Sequence, residues 1–212
     1  MAELIPEVVV LRLPIYLRAL SLLAQQNVEV VNSTALGAQL RMTPAQIRKD
    51  LSYFGKFGKQ GTGYNVKSLL RELRLILGLD RQWPMVLVGV GRLGHAIVSY
   101  GGFAPEGFNI VAAFDNDPLK IGTQVGSLTV QDVAELERVV KERGVQIGIV
   151  AVPADQAQQV IKTMVDSGIR TILNYAPIAP RIPPHLRIRD IDPVAALQSM
   201  TFYLKNQNKG GT

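Results

Sequence analysis

The residues of this chain best suited to hold a phosphate are three glycines in Gly89-Val90-Gly91-Arg92-Leu93-Gly94, spaced Gly-x-Gly-x-x-Gly. Gly89 permits a tight turn, Gly91 has no side chain to keep the backbone from a pyrophosphate, and Gly94 lets a helix and a strand pack closely. The N–H groups at a helix start, which have no partner inside the helix, then face the anion. An acid, Asp115, stands 21 positions beyond Gly94. That is where such a site wants a carboxylate to accept from the hydroxyls of an adenine ribose. The same carboxylate repels a 2′-phosphate, and no Arg or Lys follows it until Lys120. The pattern therefore favours NADH and NAD+ over NADP(H). Asp115-Asn116-Asp117-Pro118 is also good turn chemistry, but a strand, three glycines and an acid in register outweigh the plainer account.

A second set of residues is basic. Arg41, Arg48, Lys49, Lys56, Lys59, Lys67, Arg71 and Arg74 stand against Asp50 and Glu72 alone, so residues 41–74 carry a charge equal to the +6 of the whole chain. A basic stretch beside a balanced remainder indicates two modules, one of which meets a polyanion. Arg48 and Lys49, with Thr43, Gln46, Ser52 and Tyr53, sit where a recognition helix reads the major groove of double-stranded DNA. Lys56, Lys59, Gln60, Gly61 and Tyr64 lie in a glycine-rich stretch, Gly55 to Tyr64. With so little side-chain bulk, this stretch can enter a minor groove as a basic hairpin or wing, its lysines on phosphates.

The elements that must position these groups can be read in order. Residues 1–10 read as a short leader. A helix follows from Pro14 to Gln25, with Tyr16, Leu17, Leu20, Leu23 and Ala24 on one face and Arg18, Ser21 and Gln25 on the other. Asn32 or Ser33 caps a second helix with Leu36 and Leu40 inward. Thr43 caps a third, with Pro44 at its first position and Ile47, Leu51 and Phe54 facing the core. Two short helices about a tight turn, the second basic, form a helix-turn-helix with residues 43–54 as recognition helix. Val66 to Leu77 is a further helix, and residues 78–82 a linker.

Beyond the linker, strands alternate with helices. Pro84 to Val88 is an apolar run suited to a strand buried on both faces, and Asn109 to Phe114 is another. Val130 to Arg143 reads as a helix, Val145 to Val152 as a strand, Ala154 to Ser167 as a helix stopped by Gly168, and Ile169 to Leu173 as a strand. This alternation predicts an α/β fold with a Rossmann-like, doubly wound parallel sheet. Its strand ends near Gly91, Asp115, Val152-Pro153 and Asn174 then line one edge, where such sheets bind ligands. The expected cofactor-binding residues are Gly89 to Gly94, Asp115, Asn116, Asp117, Lys120, Val152, Pro153 and Asn174. The Pro-rich run from Ile178 to Pro184 is not helical. Asp192 caps, and Pro193 starts, a last helix to about Leu204. Its apolar residues, Val194, Ala195, Leu197, Met200, Phe202 and Leu204, cover more than one face and must be buried in this chain or in a partner.

Composition narrows the function further. An apolar content of 47% supports a real core. There is no cysteine, which excludes disulfides, thiolate metal ligands and thiol switches, and no metal site is expected. No apolar stretch reaches the ~20 residues of a membrane span, and the start lacks the layout of a signal peptide, so the cytoplasm is the expected location. The boundaries are expected at 1–80 for a DNA-binding domain, 81–191 for a dinucleotide-binding domain and 192–212 for the terminal helix.

Taken together, Arg48-Lys49-Asp50-Leu51-Ser52-Tyr53-Phe54-Gly55, Gly61-Thr62-Gly63-Tyr64, Gly89 to Gly94, Phe114-Asp115-Asn116-Asp117-Pro118 and Ile172-Leu173-Asn174-Tyr175-Ala176-Pro177 resemble the motifs of the Rex family of bacterial redox-sensing transcriptional repressors. The match runs from about Leu11 to Leu204. The resemblance implies a homodimer that binds an inverted-repeat operator and is released by NADH, with NAD+ competing. It also implies a C-terminal helix swapped onto the partner's winged helix. Tyr100 matches a family tyrosine near the nicotinamide, and Arg18 and Asp192 match an Arg and an Asp that meet across the dimer, which makes the three a candidate switch. Pro193 departs from the family, where an aromatic residue is frequent. The rival reading is an NAD-dependent dehydrogenase with an appended domain. Such an enzyme needs an acid–base group beside the nicotinamide, and His95 and His185 are the only histidines. His95 falls near the pyrophosphate and His185 in the Pro-rich loop.

Overall fold

The computed structural model describes residues 5–58 and 62–207. The chain divides into two compact units, Met1–Arg81 and Gln82–Thr212.

The first unit is built on α1 (Glu7–Gln25), which begins earlier than the sequence suggests. Pro6 precedes its first turn, its carbonyl accepting from Val9 N–H at 2.9 Å, and Pro14 lies inside the helix. A proline there removes one backbone hydrogen bond and costs on the order of 3 kcal/mol. Burial of Val9 and Leu13 holds the turn before it in place. Residues 7–10 of the expected leader are therefore helix. α2 (Ser33–Leu40) is capped by Asn32, whose side chain accepts from Ala35 N–H, and α3 (Pro44–Ser52) by Thr43, which accepts from Gln46 N–H. The recognition helix thus ends at Ser52, with Tyr53 and Phe54 in the turn beyond. α4 (Val66–Ile76) is capped by Asn65. Tyr16, Leu20, Leu36, Ile47, Leu51, Leu69 and Leu73 from all four helices form one core.

The glycine-rich stretch does not pair with itself as a hairpin among the described residues. Its strand, β2 (Tyr64–Asn65), pairs antiparallel with β1 (Val30–Val31), the segment that joins α1 to α2. The two-residue β1 carries no alternation pattern of its own, so the sequence does not announce it.

The second unit is a seven-stranded sheet in the order β5-β6-β4-β3-β7-β8-β9. β3 (Trp83–Val88), β4 (Phe108–Asp115), β6 (Leu128–Asp132), β7 (Ile147–Val150), β8 (Thr171–Asn174) and β9 (Arg187–Asp190) run parallel, and only β5 (Gln124–Val125) pairs antiparallel, with β6. Val88 lies opposite both Phe114 and Val150, and Val150 opposite Asn174. The carboxyl ends of four strands are therefore flush. The chain leaves β3 through α5 (Arg92–Val98) to β4 on one side and later returns to β7 on the other. β3 is thus the topological switch point, where α/β sheets open a crevice. α6 (Leu136–Arg143) and α7 (Ala154–Asp166) pack on one face, where Phe114, Leu136, Ile161 and Met164 are fully buried.

Two expectations are corrected here. The helix expected from Val130 is instead strand β6, a 3-10 turn over Val133–Glu135 and then α6. Val130 lies opposite Ala113 in the β4 ladder, and Asp132, whose side chain accepts from Ala134 N–H, starts the helical backbone. β9 was not anticipated at all. It is an edge strand of four residues, too short for the alternation of Leu186 and Ile188 with the outward Arg187 and Arg189 to mark it, and charged residues are a common protection for such edges.

The terminal helix, α8 (Pro193–Gln207), starts at Asp192, whose carboxylate accepts from the N–H groups of Val194 and Ala195. Its apolar side chains stay in water: Val194, Leu197, Met200, Phe202, Tyr203 and Leu204 are each about 60% exposed or more. No helix of the described residues is long and apolar enough to cross a membrane.

Candidate functional site

A cavity of about 680 Å³ opens at the switch point. Of the residues singled out in the sequence, Gly89, Gly91, Asp115, Asn116, Asp117, Lys120, Val152 and Pro153 line it. The turn after β3 needs its glycines for different reasons. Gly89 has φ +103°, a conformation L side chains rarely adopt, and an added Cβ would meet Ala151 O. Gly94 lies so close to the turn that a Cβ would stand 2.0 Å from Gly89 O. Around Gly91 nothing comes within 4 Å of the place a Cβ would take. Protein packing therefore explains Gly89 and Gly94 but not Gly91, where the open space lies on the cavity. Arg92 and Leu93 open α5, so their N–H groups have no partner within the helix.

Asp115 ends β4 and is 5% exposed. One carboxylate oxygen accepts from Val90 N–H at 2.8 Å and Lys120 Nζ at 3.0 Å; the other accepts from Asp117 N–H at 3.0 Å. Burial disfavours its charge, but the two backbone donors and Lys120 outweigh that and hold its carboxyl below the ordinary value. Asp115 thus fastens the glycine turn to the end of β4. Val90 supplies that anchor through its backbone while its side chain is in the core.

Other candidates lie off the cavity. Asn174 is fully buried; its amide donates to Ala176 O and to Asp190, and its oxygen accepts from Ala176 N–H. It joins β8 to β9 and shapes the strand end. Tyr100 is 61% exposed and stacks edge-on against Phe103, ring centroids 5.0 Å apart. It is also close enough to Tyr175 to add to the rise that burial causes in that phenol's pKa. Arg18 is exposed on α1. Neither His95 nor His185 lines the cavity, and both are exposed.

Sequence reading missed the far wall of the cavity. Gln156, Gln159, Val160 and Thr163 line it from α7, with Val133 and Asp155 beside them. The signal was present, since positions 156, 159, 160 and 163 share one helix face and three of them are polar where the helix packs on a sheet.

On the first unit, Arg48, Lys49, Ser52 and Lys56 are exposed, Gln46 and Tyr53 half-buried. Thr43 is spent on the cap of α3, and the Ser52 hydroxyl donates to Lys49 O. Arg48 does not hang free: one guanidinium nitrogen donates to Ser33 Oγ at 2.9 Å. Burial pushes the Tyr64 phenol pKa up, and the nearby charge of Arg48 opposes the rise. Tyr64 itself is 8% exposed and belongs to the core. Lys59, Gln60 and Gly61 lie outside the described residues. Asp50, on the same helix, is 2% exposed; Arg12 Nε and Nη2 donate to its two oxygens at 2.6 Å each, and the Tyr16 hydroxyl donates to one of them. The hydrogen bond to Asp50 raises the Arg12 pKa, and burial, followed by Asp50, raises that of Tyr16.

Comparison with known proteins covers both units. Residues 80–178 match the family model described as "CoA binding domain", and residues 4–52 match one described as "Putative DNA-binding protein N-terminus". Over 208 residues, 98% of each chain, the sequence is 51% identical to a redox-sensing transcriptional repressor Rex of Chloroflexus aurantiacus. The crystal structure of the Rex-family repressor RSP in complex with beta-NAD+ and operator DNA superposes with a TM-score of 0.92 at 34% identity, covering 99% of each chain. RSP in complex with beta-NADH superposes with a TM-score of 0.88 at 32% identity, covering 97% of each.

Proposed function

The chain belongs to the Rex family of redox-sensing transcriptional repressors, and from that premise we propose how its residues divide the work. The protein is a repressor and not an enzyme: its first unit binds operator DNA, its second binds NADH or NAD+, and NADH releases the DNA. It acts in the cytoplasm. Residues 1–80 form the DNA-binding domain and 81–191 the NAD(H) domain.

The observation that carries the cofactor assignment is the space at Gly91, which no protein atom claims. The chain's own groups suit a dinucleotide there. Gly91, Arg92 and Leu93 supply backbone N–H groups for the pyrophosphate. Asp115, already satisfied by three donors, orients the turn and keeps capacity to accept from a ribose hydroxyl. Asn116, Asp117 and Lys120 close one rim, and Val152 and Pro153 the other. Val133 and Val160 offer apolar sides for a flat ring, with Gln156, Gln159 and Thr163 as polar partners. When bound, the dinucleotide supplies the redox signal by differing in one ring between its two forms. Tyr100 and Asn174 shape surroundings outside this cavity.

Arg48, Lys49, Gln46 and Ser52 read the major groove from α3, and Lys56 meets a phosphate from the wing. The repressor works as a homodimer on an inverted repeat. The support is the pair of unmatched apolar faces: Val8, Leu11, Ile15 and Leu22 on the outer side of α1, at heptad spacing with Arg18 among them, and Leu197, Met200 and Leu204 on α8. Burying each large side chain contributes roughly 1.5–3 kcal/mol. Leaving both faces in water would forgo an amount comparable with the whole stability of a domain, ~5–15 kcal/mol. As the family resemblance implies, residues 192–212 are an arm swapped onto the partner's winged helix, with Arg18 of one copy near Asp192 and Tyr100 of the other as a switch.

The test is titration of the protein, bound to a fluorescent operator duplex, with NADH, NAD+ and NADPH. NADH should lower the anisotropy, NAD+ should raise the NADH needed, and NADPH should do neither at the same concentration. Release by NADPH alone, or by none of the three, would overturn the reading.

A further inference from the structure

Asp50 occupies a position where helix periodicity calls for an apolar residue. It shares the inward face of α3 with Ile47 and Leu51 and is as buried as they are. Its carboxylate accepts three hydrogen bonds from α1: a two-pronged contact from Arg12, 38 positions away in sequence, and one from Tyr16, 34 away. Arg12 and Tyr16 are one helical turn apart, so both donors descend from the same face. The Arg12 side chain is 16% exposed and Tyr16 fully buried, which makes this a largely desolvated charge pair.

Such a pair is a poor way to stabilise a domain. Taking two charges out of water costs several kcal/mol, and well-packed apolar replacements are frequently as stable or more so. What the pair supplies and apolar contact does not is direction. Ile47 and Leu51 hold α3 against the core, but hydrophobic contact is non-directional and tolerates a small rotation or slide. A carboxylate gripped by a planar guanidinium fork and a phenol tolerates neither. At ~100° per residue, Arg48 and Ser52 each stand about 160° from Asp50 around the helix. Fixing Asp50 inward therefore fixes both pointing outward, with Lys49 on the flank about 100° from Asp50.

We propose that Arg12 and Tyr16 are positioning residues for DNA reading: by gripping Asp50 they make α1 and the recognition helix one rigid body, so that a shift of α1 moves Arg48, Lys49 and Ser52 relative to the bases. This rests on the DNA-binding reading above. It also gives the outer face of α1 a mechanical consequence, because whatever covers Val8, Leu11, Ile15 and Leu22 acts on a helix whose inner face holds the reading helix.

The experiment compares the full-length wild type with Tyr16→Phe and with the paired replacement Arg12→Met/Asp50→Leu. The probes are the tightest duplex selected by the wild type from a random pool and a shuffled duplex of the same composition. Thermal melting is recorded alongside. The paired variant, in which the buried Tyr16 hydroxyl loses its acceptor, should melt below the wild type, bind shuffled DNA about as well, and lose roughly tenfold or more in affinity for the selected duplex. Tyr16→Phe should lose ~3- to 10-fold of the selected-to-shuffled ratio, with little change in melting. The NADH needed to release the selected duplex, divided by the NADH affinity of the free protein, should shift in both variants. Folded variants with the wild-type selectivity and the wild-type NADH ratio would overturn the proposal. If the paired variant fails to fold, Tyr16→Phe decides alone, and unchanged selectivity there overturns it. A wild type that does not prefer its selected duplex, or does not release it with NADH, indicts the DNA-binding reading instead.

Discussion

The two units prepare for an anion in opposite ways. In the first, the candidate DNA-reading side chains are exposed, and side chains far away in sequence hold them or their helix: Ser33 holds Arg48, and Arg12 and Tyr16 hold the buried Asp50 of α3. In the second, the candidate site is a backbone turn, made by the fold of the turn itself. Gly89 and Gly94 touch backbone that any side chain would displace, and Asp115 grips the turn through Val90 N–H. A site made of side chains can be altered without unfolding its scaffold. A site made of backbone cannot, except at a position such as Gly91 that faces only the open cavity.

The sharpest break of that comparison is between neighbouring glycines. Gly94→Val puts a Cβ against Gly89 O, and we expect a loss of more than about 4 kcal/mol of stability in the second unit by chemical denaturation, with no NADH binding. At Gly91 an added Cβ has nothing within 4 Å, so Gly91→Val meets no such obstacle. It should keep stability within about 1 kcal/mol of wild type and still lose NADH binding by about a hundredfold or more by fluorescence titration. Equal destabilisation by the two would erase the distinction between packing glycine and ligand glycine.

Asp115→Asn should follow, with a loss of about 1–3 kcal/mol in unfolding free energy at neutral pH and weaker NADH binding. Because the folded-state pKa of Asp115 is below its unfolded value, its contribution is present above the ordinary carboxylate pKa of ~3.9. It is lost as pH falls through the folded value. The stability gap between wild type and variant should therefore close on acidification. A gap independent of pH would mean that the shape of the side chain, and not its charge, holds the turn.

Arg48→Ala should leave melting unchanged and reduce discrimination between operator and mismatched duplexes by about 1–3 kcal/mol. Loss of stability instead would show that its hydrogen bond to Ser33 is structural. The smallest effect is expected from Lys56→Ala, which should weaken all duplexes alike and lower the slope of log affinity against log salt by about one.

Much was legible because it is local. Thr43 with Pro44, Asn32 with Ala35, and Asp192 with Pro193 are caps acting within one helical turn. The glycine spacing describes a single strand–turn–helix, and Asp115 was identifiable from its distance along the chain. These signals are complete within a dozen or two residues, so composition and spacing determined the two modules, the helix-turn-helix, the alternation of β and α, and the place of the dinucleotide turn.

Only the tertiary structure decided what depends on partners from elsewhere. β1, β5 and β9 are strands of two to four residues, too short to be marked by their own pattern, and each exists because a neighbour supplies its ladder. Val130 went to a strand rather than a helix because β4 offered it a register opposite Ala113. Asn174, a buried polar group, found its partners in Ala176 and Asp190, and Tyr64 joined the core. Asp50 carries no sign in the sequence of what it meets. Its three donors come from a helix more than thirty residues earlier, and a contact over that distance is made by the packing of α1 on α3, which no spacing along the chain encodes.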